Sequence, residues 1–207
     1  MNDGQSVKRG DVLAWIKGDA SVLLQGERVA LNLLQRMSGV ATLTAAFAKE
    51  VEGPRAVVVD TRKTTPGLRV LEKYSVRMGG GGNHRMALYD AVLIKENHVA
   101  AAGGITAAVS RAQQSVPHTQ KIEVEVRNQE EVAEALAAGA DILLLDNMSL
   151  DELSAAVERV GDRAITEASG GVNLESVRSI AETGVRLISV GALTHSYRSV
   201  DISMLFT

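Results

Sequence analysis

An α/β fold built as an incomplete (β/α) barrel of six or seven strands is the class this sequence predicts. Three observations carry it: short branched apolar runs recur along the chain, amphipathic stretches separate them, and the polar residues cluster just after the runs. The runs are "AVVV" (56–59), "AVLI" (91–94), "IEVEV" (122–126), "DILLL" (141–145), "AIT" (164–166) and "LISV" (187–190). Runs this short and this rich in β-branched residues suit strands covered on both faces of a parallel sheet. In "NQEEVAEALAAGA" the residues Val132, Ala135, Leu136 and Ala138 share one helical face, and Gly139 stands where a helix would end. "MSLDELSAAVERVG" repeats the plan, with Ser149 placed to cap the start and Gly161 the end, and "GVNLESVRSIAETGV" repeats it again. Strands separated by single helices at this pitch give right-handed βαβ units, hence a barrel or an open doubly wound sheet. Upstream, "GERVALNLLQRMSGVATLTAAFAKEV" reads as one long amphipathic helix with Val29, Leu33, Met37 and Val40 near one face.

The position of the polar residues favours the barrel. Lys63 follows the first run, Lys95 ends the second, Glu125 lies late in the third, and Asp146 follows the fourth. Ser169 follows the fifth and Gly191 the sixth. All are carboxyl ends, which converge on one mouth in a barrel, so residues more than a hundred positions apart would line a single pocket. A lysine at a strand end is ordinarily a solvated rim residue, and it is the joint pattern that argues for a site.

Composition narrows the function. The 207 residues carry a net charge of −3 and only 3% aromatics, which argues against a nucleic-acid partner. There is no cysteine, so no disulfide framework and no thiolate chemistry. No apolar run is long enough for a bilayer, and the opening "MNDGQSVKRGD" lacks a secretory core, so the chain reads as cytoplasmic with no membrane partner. The charge is uneven. Residues 60–98 hold seven Lys or Arg against four Asp or Glu, a local net of +3 that leaves −6 for the remainder. The densest part, "DTRKTTPGLR" (60–69), sets Arg62, Lys63 and Arg69 directly after a strand and asks for an anionic ligand. "GGGGNHR" (79–85) adds His84 and Arg85; the glycines alone would serve as a flexible link, but a link needs no cations beside a buried strand. "ASGGV" and "SVGALTHS" follow late strands, where backbone N–H groups of Ser169, Gly170, Gly171, Gly191 and Ala192 can surround a phosphate.

Taken together, "GERVALNLLQRMSGVAT", "DTRKTTPGLR", "GGGGNHR", "LIKENH", "EVEV", "LLLDN", "ASGG" and "SVGALTHS" resemble, in this order, the quinolinate phosphoribosyltransferases of NAD biosynthesis. The resemblance covers nearly the whole chain. It implies transfer of a phosphoribosyl group from phosphoribosyl pyrophosphate to the ring nitrogen of quinolinate, with loss of carbon dioxide and pyrophosphate and with Mg2+ as the ion. It assigns Arg62, Lys63, His84, Arg85 and Lys95 to the quinolinate pocket and adds Arg28 from a neighbouring subunit, hence a homodimer with a shared site, or a larger oligomer. Glu125 and Asp146 match the acidic pair near ribose and metal, directly or through water and pyrophosphate. Lys63, Lys95, Glu125 and Asp146 are the catalytic set, and Ser169, Gly170, Gly171, Gly191 and Ala192 hold the 5-phosphate. The resemblance also divides the chain into residues 1–26, the closing strands of an amino-terminal α/β sandwich domain otherwise missing here, and residues 27–207, the barrel with its linking helix. Two other readings stay open on sequence: a related transferase with another cyclic anionic acceptor, including the family's molybdenum-associated relatives, and a non-catalytic fragment that binds anions.

Overall fold

The computed structural model describes residues 1–206. Six strands form one all-parallel sheet: β1 (Val57–Val59), β2 (Val92–Ile94), β3 (Ile122–Val126), β4 (Ile142–Asp146), β5 (Ile165–Ser169) and β6 (Leu187–Ser189). The order β1-β6-β5-β4-β3-β2 returns the first strand beside the last, which is the winding of a barrel with one break. A seventh, single-bridge segment pairs Gly82 with Val59 on the free side of β1 and partly fills that break. The expected incomplete barrel of six or seven strands is what forms.

Register sorts the side chains by period two. Val58, Ile188, Ala168, Leu145, Leu143, Val124, Val126 and Ile94 lie on one face and join the buried core packed under the helices. The other face carries Glu123, Glu125, Asp146, Glu167, Ser169 and Ser189. A barrel interior this polar is built to hold charge rather than to be filled by hydrocarbon.

The helices run as α1 (Ala20–Glu50), α2 (Arg69–Met78), α3 (Glu96–Ala102), α4 (Ile105–Ser115), α5 (Gln129–Ala137), α6 (Leu150–Val160), α7 (Val177–Glu182) and α8 (Ala192–His195). Ser149 caps α6 as expected: its hydroxyl accepts the Glu152 N–H while the Glu152 carboxylate accepts the Ser149 N–H at 2.8 Å. Between β2 and β3 the expected single helix is two, because Gly103 and Gly104 take φ of 89° and 138°, and the second value ends any α-helix.

Two expectations at the amino end are corrected. Residues 1–19 contain no strand, since the extended segments find no neighbour to exchange ladder hydrogen bonds with. The linking helix also starts earlier than residue 27, at Ala20, because the Asp19 carboxylate accepts the Ser21 and Val22 N–H groups and so satisfies two orphan donors. Arg28 therefore sits two turns inside α1 rather than at its start. The face named from Val29 splits accordingly: Val40 is buried, while Val29 is 65% exposed. Val12, Trp15, Ile16 and Val22 are exposed as well. No helix among the described residues is long and apolar enough to cross a membrane.

Candidate functional site

The strand ends converge as expected, and the loop after β1 is its first wall. Lys63 donates its N–H to the Thr61 hydroxyl at 3.0 Å, Thr64 donates to the Arg62 carbonyl at 2.9 Å, and the tight turn this makes leaves the Arg62 and Lys63 side chains exposed. Arg69, the third cation of the stretch, is not available to a ligand: its guanidinium donates to the Thr64 hydroxyl at 2.9 Å and to the Met86 carbonyl at 3.0 Å. It ties this loop to the segment that carries Arg85.

Arg85 is half-buried, with one guanidinium nitrogen donating to the Ala91 carbonyl at 2.9 Å. Burial, then the charge of Arg62 beside it, lowers its pKa from the usual arginine value. Two guanidiniums close enough to perturb each other are a standing demand for a counter-anion. With Lys95 and His98 they line a cavity of about 470 Å3 whose apolar wall includes Leu93 and Ala91. Lys95 reaches across to Glu125 and pairs with its Oε2.

Glu125 and Asp146 stand at adjacent strand ends, since Val126 pairs with Leu145, the residue before Asp146. Asn147 donates its side-chain N–H to Asp146 Oδ2 at 2.7 Å. Among the described residues each carboxylate thus keeps one oxygen free of protein hydrogen bonds, which fits a hard cation that takes a few carboxylates and completes its shell with substrate oxygens and water.

The phosphate end is set by close approach. Gly170 has φ of 102°, and a Cβ there would stand 2.2 Å from Asn147 Oδ1, so only glycine lets β5's loop lie against β4's. Gly191 separates Lys63 and His195; a Cβ would meet His195 Nε2 at 3.1 Å and Lys63 Cδ at 3.2 Å. Ser169, Gly171 and Ala192 flank these positions, with Gly171 open to solvent. The Thr194 hydroxyl donates to the Lys63 carbonyl at 2.8 Å, and Lys63, Thr64, Thr65, His195 and Ser199 line a second cavity of about 390 Å3. His195 and the hydroxyls were missed on sequence, although "GALTHS" put the histidine within one helical turn of a glycine already singled out.

His84 lies elsewhere than the rim. Its Nδ1 accepts the Arg85 N–H at 2.7 Å, so the hydrogen-bond pattern puts the ring proton on Nε2, 3.1 Å from Glu123 and 3.6 Å from Glu167. Glu123 and Glu167 are buried inside the barrel, each with one oxygen that no group satisfies. The three could count as metal ligands by spacing. A ligating histidine donates its other N–H to the surroundings, however, whereas this Nδ1 accepts, so hydrogen bonding describes the cluster better than coordination. Burial opposes an imidazolium here, but the hydrogen bond to Glu123 and the charges of Glu167 and Glu123 outweigh it and raise the His84 pKa.

Burial, then repulsion from Glu123, raises the Glu167 pKa to about 7 from an ordinary 4.5. A folded-state pKa raised above the unfolded one gives stability that is complete below about 4.5 and lost as pH rises through about 7. His84 is shifted in the same direction, so the two losses add rather than cancel. Thermal unfolding of Glu167→Gln is expected to vary less with pH than that of the unsubstituted chain between about pH 5 and 8; parallel curves would refute the assignment.

Arg28 lies away from the mouth formed by its own chain. Its side chain is 71% exposed, with only Glu27 nearby at 4.0 Å. It lies eight residues before Arg36, about 12 Å along α1. Arg36 itself pairs with the buried Glu72 at 2.8 Å and stacks on Tyr197, fastening α1 to the second cavity.

Comparison with known proteins agrees with this geometry. The family profile described as quinolinate phosphoribosyl transferase, C-terminal domain, matches residues 40–205, and the corresponding N-terminal domain profile matches residues 1–38. A probable nicotinate-nucleotide pyrophosphorylase (carboxylating) of Bacillus subtilis is 49% identical over 202 residues, covering 98% of this chain and 70% of that protein. The nicotinate-nucleotide pyrophosphorylase (carboxylating) of Mycobacterium leprae is 44% identical over 99% of this chain and 72% of its own length. The crystal structure of NadC from Streptococcus pyogenes superposes with a TM-score of 0.95 at 43% identity, over all of this chain and 72% of that one. With that profile over residues 40–205 and relatives of this identity along nearly its whole length, the chain belongs to the quinolinate phosphoribosyltransferase family.

Proposed function

We propose that the chain transfers a phosphoribosyl group from phosphoribosyl pyrophosphate to the ring nitrogen of quinolinate, giving nicotinate mononucleotide, pyrophosphate and carbon dioxide. The observation that carries the reading is the cavity that Arg62, Arg85 and Lys95 line together, three cations facing one space. Quinolinate offers two adjacent carboxylates, and guanidinium forks bind carboxylates bidentately. Lys63, beside Gly191, borders that half from the donor side, and His84, whose Nε2 faces Glu123, supports it from beneath. The stretch "DTRKTTPGLR" thus divides its work: Arg62 faces the acceptor, Lys63 lies between acceptor and 5-phosphate, and Arg69 holds the loop.

The donor half follows by charge. Ser169, Gly170, Gly171, Gly191 and Ala192 offer backbone N–H groups to the 5-phosphate, with the Lys63 ammonium and the His195 ring beside Gly191. Glu125 and Asp146 face the ribose and would hold Mg2+, directly or through water and pyrophosphate, where it would supply charge neutralisation for a diphosphate leaving group. As the C1–O bond to pyrophosphate breaks, positive character develops at the anomeric carbon, and the two carboxylates stabilise it. The pyridine nitrogen lone pair then forms the C1–N bond. The ring nitrogen becomes cationic, the adjacent C–CO2 bond breaks with its electrons left on the ring carbon, and that carbon takes up a proton. No protein nucleophile enters; the residues position and neutralise.

Arg28 extends the reading to assembly. Exposed, without a tight partner and remote from its own pocket, it suits a homodimer in which each subunit completes the other's acceptor site. The absence of cysteine and of any apolar crossing segment supports a cytoplasmic setting.

The direct test is incubation of the chain with quinolinate, phosphoribosyl pyrophosphate and Mg2+, following nicotinate mononucleotide. Turnover of nicotinate in place of quinolinate would instead assign another acceptor, and binding without turnover an anion-binding fragment. Arg85→Lys keeps the charge but loses the fork, so quinolinate binding is expected to weaken by about 1.5–3 kcal/mol. Unchanged calorimetric affinity would remove Arg85 from the pocket.

A further inference from the structure

The two cationic strings of the acceptor pocket come from separate segments, and something must hold their like charges together. Beneath them lies a buried ion pair: Asp60 is 0% exposed and Lys73 2%. Neither can touch a substrate. Asp60 immediately precedes Thr61-Arg62-Lys63, and its carboxylate accepts from the Lys73 ammonium, from the His84 N–H at 2.9 Å and from the Asn83 side chain at 2.6 Å. The Lys73 ammonium also donates to the His84 carbonyl at 2.9 Å, and Asn83 donates to the Lys73 carbonyl at 2.9 Å. Both backbone polar groups of His84 are thus held by one charge pair. A pair so buried has weak grounds as a stabiliser, because desolvation offsets its attraction and apolar residues of the same volume serve as well. What apolar residues cannot do is fix the backbone at a stated distance and angle.

We propose that Asp60, Lys73 and Asn83 are positioning residues for the acceptor site, locking the loop that carries Arg62 and Lys63 to the segment that carries His84 and Arg85. The main chain agrees with this role. Gly82 donates to the Val58 carbonyl at 2.8 Å and Asp60 to the Gly82 carbonyl at 3.2 Å, so the segments run side by side for only one bridge before they diverge. Past that bridge the side-chain network is what continues the junction. Without it, repulsion between Arg62 and Arg85 is free to spread the two loops, and a rigid diacid then loses the geometry for two simultaneous forks. Glu125, Asp146 and the glycine loops of the donor half make no hydrogen bond among the described residues with Asp60, Lys73 or Asn83, and are expected to change least.

The inference rests on the quinolinate reading, and its test separates the two. The double substitution Asp60→Asn/Lys73→Met removes both charges without stranding either one. Quinolinate Kd by calorimetry and KM for each substrate are then measured together with thermal unfolding. The expected result is a folded protein whose quinolinate Kd and KM rise about tenfold or more while KM for phosphoribosyl pyrophosphate stays within about twofold. Asn83→Ala retains both charges and is the milder variant should the double fail to fold; a rise of about threefold in quinolinate Kd, with faster hydrogen exchange at the His84 amide, is expected of it. Wild-type affinity in the folded variants, or equal weakening of both substrates, would overturn the positioning role. Failure of the unsubstituted chain to bind quinolinate would overturn the functional reading itself.

Discussion

Arg28→Ala and Lys95→Ala chains, each nearly inactive alone, are expected to regain activity when unfolded together and reassembled. In a two-fold dimer with a shared site, one pocket of each mixed dimer receives an intact Arg28 from one subunit and an intact Lys95 from the other, while its second pocket lacks both. Random pairing makes about half the dimers mixed, so about a quarter of all sites are restored. The structure makes the choice of residues informative. Arg28 is exposed on α1 with only the neighbouring Glu27 within reach, so its removal costs the fold little. Lys95 lies in the 470 Å3 cavity and is paired to Glu125. Mixed dimers without activity, or an active species that sediments as a monomer, would sink the shared site.

Asp146→Asn is expected to lower turnover by about two orders of magnitude, the scale of losing a preorganised group aimed at developing charge. Calorimetric affinity for quinolinate alone should stay within about twofold, because the acceptor cations lie after β1, in the segment before β2 and at the end of β2, and not on β4. The substitution is nearly isosteric, but it takes away the charge while leaving Asn147 a side-chain partner at the same place. Equal loss of quinolinate binding and turnover would show that the pocket does not divide into an acceptor half and a donor half.

Much of the fold was legible because its signals are local. Each of the six apolar runs became a strand, and Ser149 and Gly161 bound α6 as their chemistry requires. The exceptions are places where a partner decides. Val7, Val12 and Ile16 have strand-forming side chains, but a strand exists only as a ladder, and no segment lies alongside them. "GGGG" has the composition of a flexible link, yet a Cβ on Gly79 would stand 2.4 Å from the Ala41 carbonyl and one on Gly81 2.7 Å from Thr44, so two of these glycines are spacers that let α1 pack down.

The site divides in the same way. From sequence alone came the residue types and their carboxyl-end positions, which alternation and spacing along one chain carry without reference to anything distant, and, through the family resemblance, the ligands to expect. Depth and partnership came only from the tertiary structure. Glu123 and Glu125 are two residues apart on the same face of β3, yet the first lies deep in the barrel against His84 and the second reaches the mouth and pairs with Lys95. Arg69 looks as available as Arg62 until the Met86 carbonyl, seventeen residues on, is seen to occupy it. A side chain's distance from the barrel mouth is set by strand register, and its free donors are whatever distant backbone leaves unclaimed; both are sums over contacts between remote segments, which no local pattern records.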